Sequence, residues 1–373
     1  MGTLRILLAS LVLASHSGLL NPQIGGLAVE SFFVISGFYI QMILREKYIG
    51  QPGWRGKFLK SRMLRIFVPY WTVLIGTVVI MLLLFPESIG KRLPMFALLS
   101  KDPSSRDSIT MSFSNIFIIG QDYFKVWRMV DNEWKTYREA IIIPPAWSIS
   151  LELMFYILAP WLLACRTRVL VFVTALSLMA KFLILATTRV SPLAYECGDG
   201  LVNGIFPLEL GLFTAGSLCY RYYAYRLAAD GFEGEAFKWR TVLVASTVSM
   251  ILVLTRVNPI LFSYLIFYYT YVLFLIIVLP FIFAASRSNR WDRRLGELSY
   301  PFYLCAFPVA TDLLKKNVSL TLWFPLAEVI TLCLAYLIMR YVEDPLTRFR
   351  HRRFYAASPS SPYALRSRPG PVA

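Results

Sequence analysis

The sequence predicts an all-α polytopic membrane protein with about ten transmembrane helices. Of its 373 residues, 57% are hydrophobic and only 16% are charged, and the mean hydropathy is positive, unlike that of an ordinary soluble domain. Several continuous apolar runs reach about 18 residues, the length that crosses a hydrocarbon core ~30 Å thick. These runs lack the alternation of polar and apolar residues that is typical of barrel strands, which excludes a transmembrane β-barrel.

The predicted membrane segments cover most of the chain, and their connecting loops predict the topology. The segments are residues 3–20, 25–44, 66–86, 147–164, 168–188, 201–223, 240–257, 260–284, 298–315 and 320–341. With this number of spans, all the basic clusters fall on one side of the membrane, at residues 45–65, 166–168, 221–240, 287–294 and 348–353. Because Lys and Arg collect in cytoplasmic loops, that side is predicted to be cytoplasmic, as are both termini.

The chain divides into a transmembrane domain, residues 1–345, and a tail, residues 346–373, that is basic and rich in Ser and Pro and is predicted to be disordered in the cytoplasm. The long loop at residues 87–146 is predicted to lie outside. Its Trp127 and Trp134 suit either stacking on sugars or anchoring at the membrane interface.

Three alternative interpretations of the composition are weaker. The net charge of +16 could indicate nucleic acid binding, but no soluble basic domain is present and cytoplasmic loops account for the charge. The five cysteines are scattered, so neither a metal site nor a disulfide framework is predicted. Arg5 and the apolar run up to Ala14 resemble a signal peptide, but the next apolar segment follows almost immediately.

The candidate catalytic group consists of His16, Glu30 and Glu152. The sequence has two histidines, and His16 lies within an apolar segment, where a titratable side chain is costly and therefore suggests a function. The two glutamates lie at a similar depth, toward the outer side. A carboxylate beside an imidazole fixes its tautomer, so His16 is the predicted general base. The alternatives are a helix–helix hydrogen bond for His16 and an interfacial charge for Glu30.

The candidate binding group consists of Arg5, Arg62 and Arg65 at the cytoplasmic side. Arg62 and Arg65 share one helix face, and Arg5 lies about 16 Å along a helix from His16. Arginine forks bind phosphates well, although a topology-setting charge at Arg5 and binding of anionic lipid headgroups are alternatives. A long donor with a phosphorylated head and a reactive far end, such as a coenzyme A thioester, fits this arrangement. Ser36, Ser148 and Ser150 are candidate oxyanion donors.

Several stretches in order along residues 5–345 resemble the membrane-bound acyltransferase-3 family, which includes surface-polysaccharide O-acetylases. These are Arg5 with His16, and residues 30–38, 62–69, 147–156, 295–304 and 341–345. The resemblance implies a ten-helix fold that transfers an acyl group, usually acetyl from acetyl-CoA, to a sugar or another hydroxyl. It also implies essential roles for Arg5, His16, Arg62, Arg65 and Glu152.

The chain departs from the family pattern in three places. The family often carries a second His where Cys305 begins Cys-Ala-Phe here, and it commonly has Asp at the position of Glu30. Many members also carry an extra extracellular hydrolase-like domain. This chain is expected to act without one, on its acceptor directly or by handing acyl groups to a partner.

The leading hypothesis is an O-acyltransferase in the bacterial cytoplasmic (inner) membrane that acts on a glycan, glycolipid or lipid-linked saccharide. The further expected partners are membrane lipids, a second copy of the chain in a homodimer, or glycan-assembly machinery. Neither a metal ion nor a nucleic acid is expected to bind. The alternatives are a proton-coupled transporter or flippase, since intramembrane His and Glu are typical of proton relays, and a structural subunit of a polysaccharide export complex. No internal repeat of the transporter type is visible in the sequence.

Overall fold

The computed structural model describes residues 1–16, 19–20, 22–123, 140–188, 204–227, 261–309 and 320–354, and within these ranges the protein is helical with no strand. The helices are α1 (Gly2–His16), α2 (Pro22–Ile43), α3 (Trp54–Leu84), α4 (Ile89–Arg92), α5 (Pro94–Lys101), α6 (Arg106–Phe117), α7 (Ala146–Leu162), α8 (Thr167–Thr188), α9 (Phe206–Tyr222), α10 (Leu261–Ser286), α11 (Arg290–Phe307), α12 (Leu320–Ile338) and α13 (Asp344–Phe354). Short π-helical turns, Leu44–Tyr48, Tyr223–Leu227 and Met339–Glu343, extend α2, α9 and α12.

Helices overlap nine of the ten predicted segments, and the tenth, at residues 240–257, lies outside the described residues. Five stretches in the described part are long and apolar enough to cross a membrane: Gln23–Tyr48, Trp54–Leu84, Thr167–Thr187, Phe267–Ser286 and Leu322–Phe354. Helices α1 and α7 are apolar but shorter. The described part of the protein is therefore all-helical, with several candidate membrane spans.

Three helices extend beyond the predicted segments into basic sequence. Helix α3 begins at Trp54, so that Arg62 and Arg65 lie on a continuous helix, and α11 begins at Arg290. Residues 344–354, most of which the sequence analysis assigned to the tail, form α13, and residues from 355 onward lie outside the described residues. Lys and Arg are good helix formers, so a helix continues past the point where its hydropathy falls.

The stretch predicted as one long outer loop contains three helices, α4 to α6, in its described part. Ser105 caps α6 by accepting a hydrogen bond from the backbone N–H of Ser108 (3.2 Å). At the other end, Asn115 donates to the carbonyl of Ala140 (2.9 Å), and its own carbonyl accepts from the Tyr70 hydroxyl on α3 (2.6 Å). The segment is thus tied to the membrane helices. Trp127 and Trp134 lie outside the described residues.

Helix α2 lies at the centre and packs closely on α9. A Cβ at Gly37 would collide with the carbonyl oxygen of Phe213, and a Cβ at Gly216 would collide with that of Val34. The Ser217 hydroxyl donates to the carbonyl of Gly37 (3.1 Å) across the same interface. Small residues allow such close approach of membrane helices, where dispersion contacts and hydrogen bonds drive association.

Helix α1 is fixed at its N-terminal end by an acidic residue of α11. The Asp292 carboxylate accepts from the backbone N–H groups of Gly2 (2.8 Å) and Thr3 (3.0 Å) and from the Thr3 hydroxyl (2.7 Å). These are N–H groups that a helix leaves unsatisfied in its first turn, and a negative charge there also complements the helix dipole. The contact fixes the start of α1, and with it the position of Arg5 one turn further along.

The α2–α9 contact gives a first prediction. Gly216→Ala should lower thermal stability, by the equivalent of about 1–3 kcal/mol, because the new methyl group meets backbone rather than a movable side chain. Gly76→Ala on α3 is the matched control, since a Cβ there meets nothing within 4 Å. That change should be neutral or stabilising by up to about 1 kcal/mol. Size-exclusion thermal-shift assays in detergent measure both, and equal melting temperatures for the two variants would contradict the packing described.

Candidate active site

A cavity of about 560 Å³ opens among α1, α2, α3, α7, α11 and α13. Its lining combines apolar and aromatic side chains with charged groups from several helices. The predicted site residues that line it are Arg5, Arg62, Arg65 and Glu152. These residues lie up to 147 positions apart in sequence, so their convergence results from the tertiary structure.

Two of the arginines in this cavity lie against aromatic rings. The guanidinium carbon of Arg5 is 5.9 Å from the ring centroid of Tyr39, and that of Arg62 is 5.8 Å from the ring centroid of Phe58. Arg62 is only 3% exposed, and Nε of Arg5 is buried with no hydrogen-bond partner among the described residues. Guanidinium groups buried in the wall of a cavity are suited to binding an anion.

The Glu152 carboxylate is held by hydroxyl groups from two helices. Its Oε1 accepts from the Ser36 hydroxyl on α2 (2.8 Å) and from the Tyr156 hydroxyl one turn along α7. Two donors on one oxygen restrain the carboxylate, which faces the same cavity as Arg5. Ser36, a candidate oxyanion donor from the sequence, thus donates to Glu152 in this structure.

His16 lies beyond the outer end of the cavity. It is exposed at the end of α1 and packs edge-on against Phe307, with ring centroids 5.2 Å apart. Tyr303, one turn before Phe307 on α11, lines the cavity and shares a hydrogen bond with Ser148 (2.8 Å). His16 is therefore outside the cavity lining, and the ring that it contacts, Phe307, lies one helical turn from the lining residue Tyr303. Ser150, the third candidate oxyanion donor, instead donates to Asp122 (2.7 Å).

Glu30 points to another side of α2, away from the cavity. Its carboxylate accepts from Lys181 on α8 (2.8 Å), and the same ammonium donates to Glu209 on α9 (2.7 Å). The side chains of Lys181 and Glu209 are fully buried, and the Lys181 ammonium lies 5.2 Å from the ring centroid of Tyr268 on α10. The structure thus gives Glu30 a buried ion pair as its partner, and its predicted role beside His16 stays a prediction.

Several residues of these sites were not singled out from the sequence. Lys181 is the one charge inside the apolar run 169–188, which marks it as costly and therefore noteworthy. Tyr156 and Glu343 lie within two of the family-like stretches, and both line the cavity. Arg350 had no such signal, because it belongs to the basic tail. No group of three or more His, Cys, Asp or Glu side chains suited to a metal occurs within the described residues.

Comparison with protein families identifies the chain. The family profile described as an acyltransferase domain, acyltransferase 3, matches residues 2–340, nearly the whole chain. The chain belongs to the acyltransferase 3 family. Searches of curated proteins and of solved structures give no match.

Membership implies that this acyltransferase is a membrane enzyme that uses an acyl donor. All six predicted site residues lie within the matched region, whereas α13 lies beyond it. The cavity of the acyltransferase brings four of these six together, and a fifth, His16, lies outside its lining, against Phe307.

The two ion pairs that the buried Lys181 forms with Glu30 and Glu209 give a second prediction. Lys181→Met leaves two buried carboxylates without their counter-charge, which typically costs about 3–5 kcal/mol, so the folded protein should melt far earlier or fail to accumulate. Neutralising all three groups, as Lys181→Met/Glu30→Gln/Glu209→Gln, should restore much of the stability. Lys91→Met removes an exposed lysine and is the control. Thermal-shift assays check this, and equal stability of Lys181→Met and Lys91→Met would disprove a structural role for the pair.

Proposed function

We propose that this acyltransferase moves an acetyl group from acetyl-CoA to a hydroxyl of a glycan, glycolipid or lipid-linked saccharide at the outer membrane face. The observation that carries this proposal is the cavity itself. It gathers Arg5, Arg62, Arg65 and Glu152, and its lining residue Tyr303 lies one helical turn from Phe307, the ring that contacts His16. A donor with phosphates at one end and a thioester at the other matches a cavity with cations at one end and an imidazole near the other.

The arginines bind the phosphates of the donor. Arg62 and Arg65 project from one face of α3, opposite Arg5 on α1, and buried guanidinium groups form strong, often bidentate, hydrogen bonds with phosphate oxygens. Arg5 and His16 lie about 16 Å apart along α1, since each helical residue adds about 1.5 Å. The extended arm of coenzyme A spans a distance of this order, so the thioester reaches the outer end of the cavity.

His16 acts as the general base at that outer end. It takes the proton of the acceptor hydroxyl while the hydroxyl oxygen attacks the thioester carbonyl. The C–S bond then breaks, the new C–O ester bond remains on the acceptor, and the leaving thiolate takes the proton from His16. Electrons and protons balance, so no further reactant is needed. Glu152, restrained by Ser36 and Tyr156, orients groups in the cavity.

The proposed topology follows from the donor and the basic loops. Both termini and the basic clusters face the cytoplasm, where acetyl-CoA is made, and about ten helices span the bacterial inner membrane. The inner end of the cavity then faces the donor and His16 faces the acceptor. Glycan-assembly machinery or a second copy of the chain are proposed partners on the same grounds.

A third prediction concerns His16. His16→Ala should lower transfer of label from radiolabelled acetyl-CoA to membrane saccharide by at least about 100-fold, the usual contribution of a general base. Affinity for acetyl-CoA and thermal stability should stay unchanged, because the side chain lies outside the cavity lining. Transfer assays and donor binding in nanodiscs measure the two effects, and undiminished transfer would remove His16 from the mechanism.

A fourth prediction concerns the phosphate contact. Arg65→Ala should raise KM for acetyl-CoA about 10-fold or more, as expected when a charged hydrogen bond worth about 1.5–3 kcal/mol is lost. Lys60→Ala, an exposed position on the same helix, is the control and should leave KM unchanged. Steady-state kinetics in vesicles without anionic lipid make the measurement. An unchanged donor KM, with lost binding of anionic lipid, would assign Arg65 to lipid headgroups instead.

A second candidate function, a proton-coupled transporter, is favoured by one observation. The Glu30, Lys181 and Glu209 cluster places one ammonium between two carboxylates in the interior, and such buried ionisable groups serve as proton relays in transporters. The labelled-acetyl assay separates the two functions. Saccharide that crosses the membrane without acquiring label, in the wild-type protein, would support transport and contradict acyl transfer.

A further inference from the structure

Helix α13 carries an unusual arginine beyond the part of the chain that matches the family. The match ends at residue 340, and α13 covers Asp344–Phe354. Of the arginines on this helix, Arg348, Arg352 and Arg353 are exposed, as expected for a basic surface helix. Arg350, in contrast, is only 4% exposed and lines the cavity. Burial of a charge is costly, so its position requires an explanation.

Arg350 and Lys47 are two cations of the cavity lining outside the group predicted from the sequence. Lys47, from the turn that follows α2, and His351 line the same cavity, and the charges of Lys47 and Arg350 both act on His351. The Thr347 hydroxyl accepts a hydrogen bond from Nη2 of Arg350 (3.1 Å), which helps to orient the guanidinium.

One carboxylate interacts both with Arg350 and with two of the arginines predicted from the sequence. Glu343 lines the cavity and interacts electrostatically with Arg65, Arg350 and Arg5. A single carboxylate thus interacts with several cationic side chains. Over the whole lining, Lys and Arg side chains outnumber Asp and Glu by seven to five. The cavity therefore presents cations from α13 and from the turn after α2 as well as those of α1 and α3, with an overall excess of positive charge.

We propose that Arg350, assisted by Lys47, binds the phosphate of the donor that lies farthest from the thioester, namely the 3′-phosphate on the ribose of acyl-CoA. This rests on the proposed function and deepens it. Acyl-CoA carries phosphate at two places, the diphosphate that leads to the acyl arm and the 3′-phosphate on the nucleoside. Arg5, Arg62 and Arg65 lie on the Glu152 side of the cavity and take the diphosphate. Arg350 lies on α13, about two helical turns after Glu343, and takes the other.

Burial makes this contact selective. A guanidinium in a partly desolvated site interacts more strongly with a phosphate dianion than the exposed arginines of the same helix do, because water screens those. The 3′-phosphate then acts as a recognition group, since the reacting thioester lies at the opposite end of the donor. A donor without the 3′-phosphate can still react at its thioester, but it makes one fewer contact with the protein.

The test compares acetyl-CoA with 3′-dephospho-acetyl-CoA for binding to the purified full-length protein in phosphatidylcholine nanodiscs. The wild-type protein should bind acetyl-CoA at least about 10-fold more tightly, the usual effect of one charge-assisted contact. Arg350→Ala should weaken acetyl-CoA binding alone, so that the two ligands bind almost equally. Arg352→Ala removes an exposed arginine two positions away and should keep the wild-type ratio.

Three results would overturn the proposal. Arg350→Ala could lower the affinity for both ligands equally, or could leave both affinities unchanged. In either case Arg350 does not bind the 3′-phosphate. If Arg350→Ala does not fold, Arg350→Lys and Lys47→Met replace it, and each should reduce the ratio of affinities while the melting temperature stays near wild type. An unchanged ratio in both contradicts the assignment. A wild-type protein without affinity for acetyl-CoA would instead contradict the proposed function.

Discussion

The close contact between α2 and α9 is the constraint on which the site depends. Gly37 and Gly216 let the two backbones approach until a single added methyl group would collide with a carbonyl oxygen. On one side of α2, Glu30 is tied to α8 and α9 through Lys181. Because α2 is fixed on that side, its other side presents Ser36 and Tyr39 to the cavity at defined positions. Ser36 restrains Glu152 and Tyr39 lies against Arg5. The positions of these two charged side chains in the cavity therefore depend on the α2–α9 packing.

The protein keeps charge inside an apolar structure in two different ways. The Glu30, Lys181 and Glu209 cluster is compact and buried, and its opposite charges are in direct contact. The charges of the cavity are spread around open space, and their cations exceed their anions. Breaking a compact buried pair destabilises the helix interface that holds it, whereas an excess of one sign around a cavity favours a ligand of the other sign. The same residue types therefore serve packing in one place and binding in the other.

The cavity also separates binding from chemistry along its length. Cationic groups from α3, α13 and the inner end of α1 lie toward the cytoplasmic side of the proposed topology. Toward the other side the lining becomes aromatic and hydroxylic, with Tyr303 bonded to Ser148 and Phe307 against His16. Where many family members are expected to have a second His, this chain has Cys305, which is buried. The proposed chemistry accordingly rests on one imidazole.

The sequence by itself determined the all-helical membrane class, because long apolar runs and sparse charge are properties of composition and order. It also determined that Arg62 and Arg65 share a helix face, because three residues make nearly one helical turn. Only the tertiary structure decided that Glu30 pairs with Lys181, and that Arg350 returns to the cavity from the basic tail. A helix in lipid or in a core is apolar on all its faces. The spacing of its apolar residues therefore does not predict which face packs against which neighbouring helix. Partners 151 residues apart, such as Glu30 and Lys181, are therefore set by packing alone.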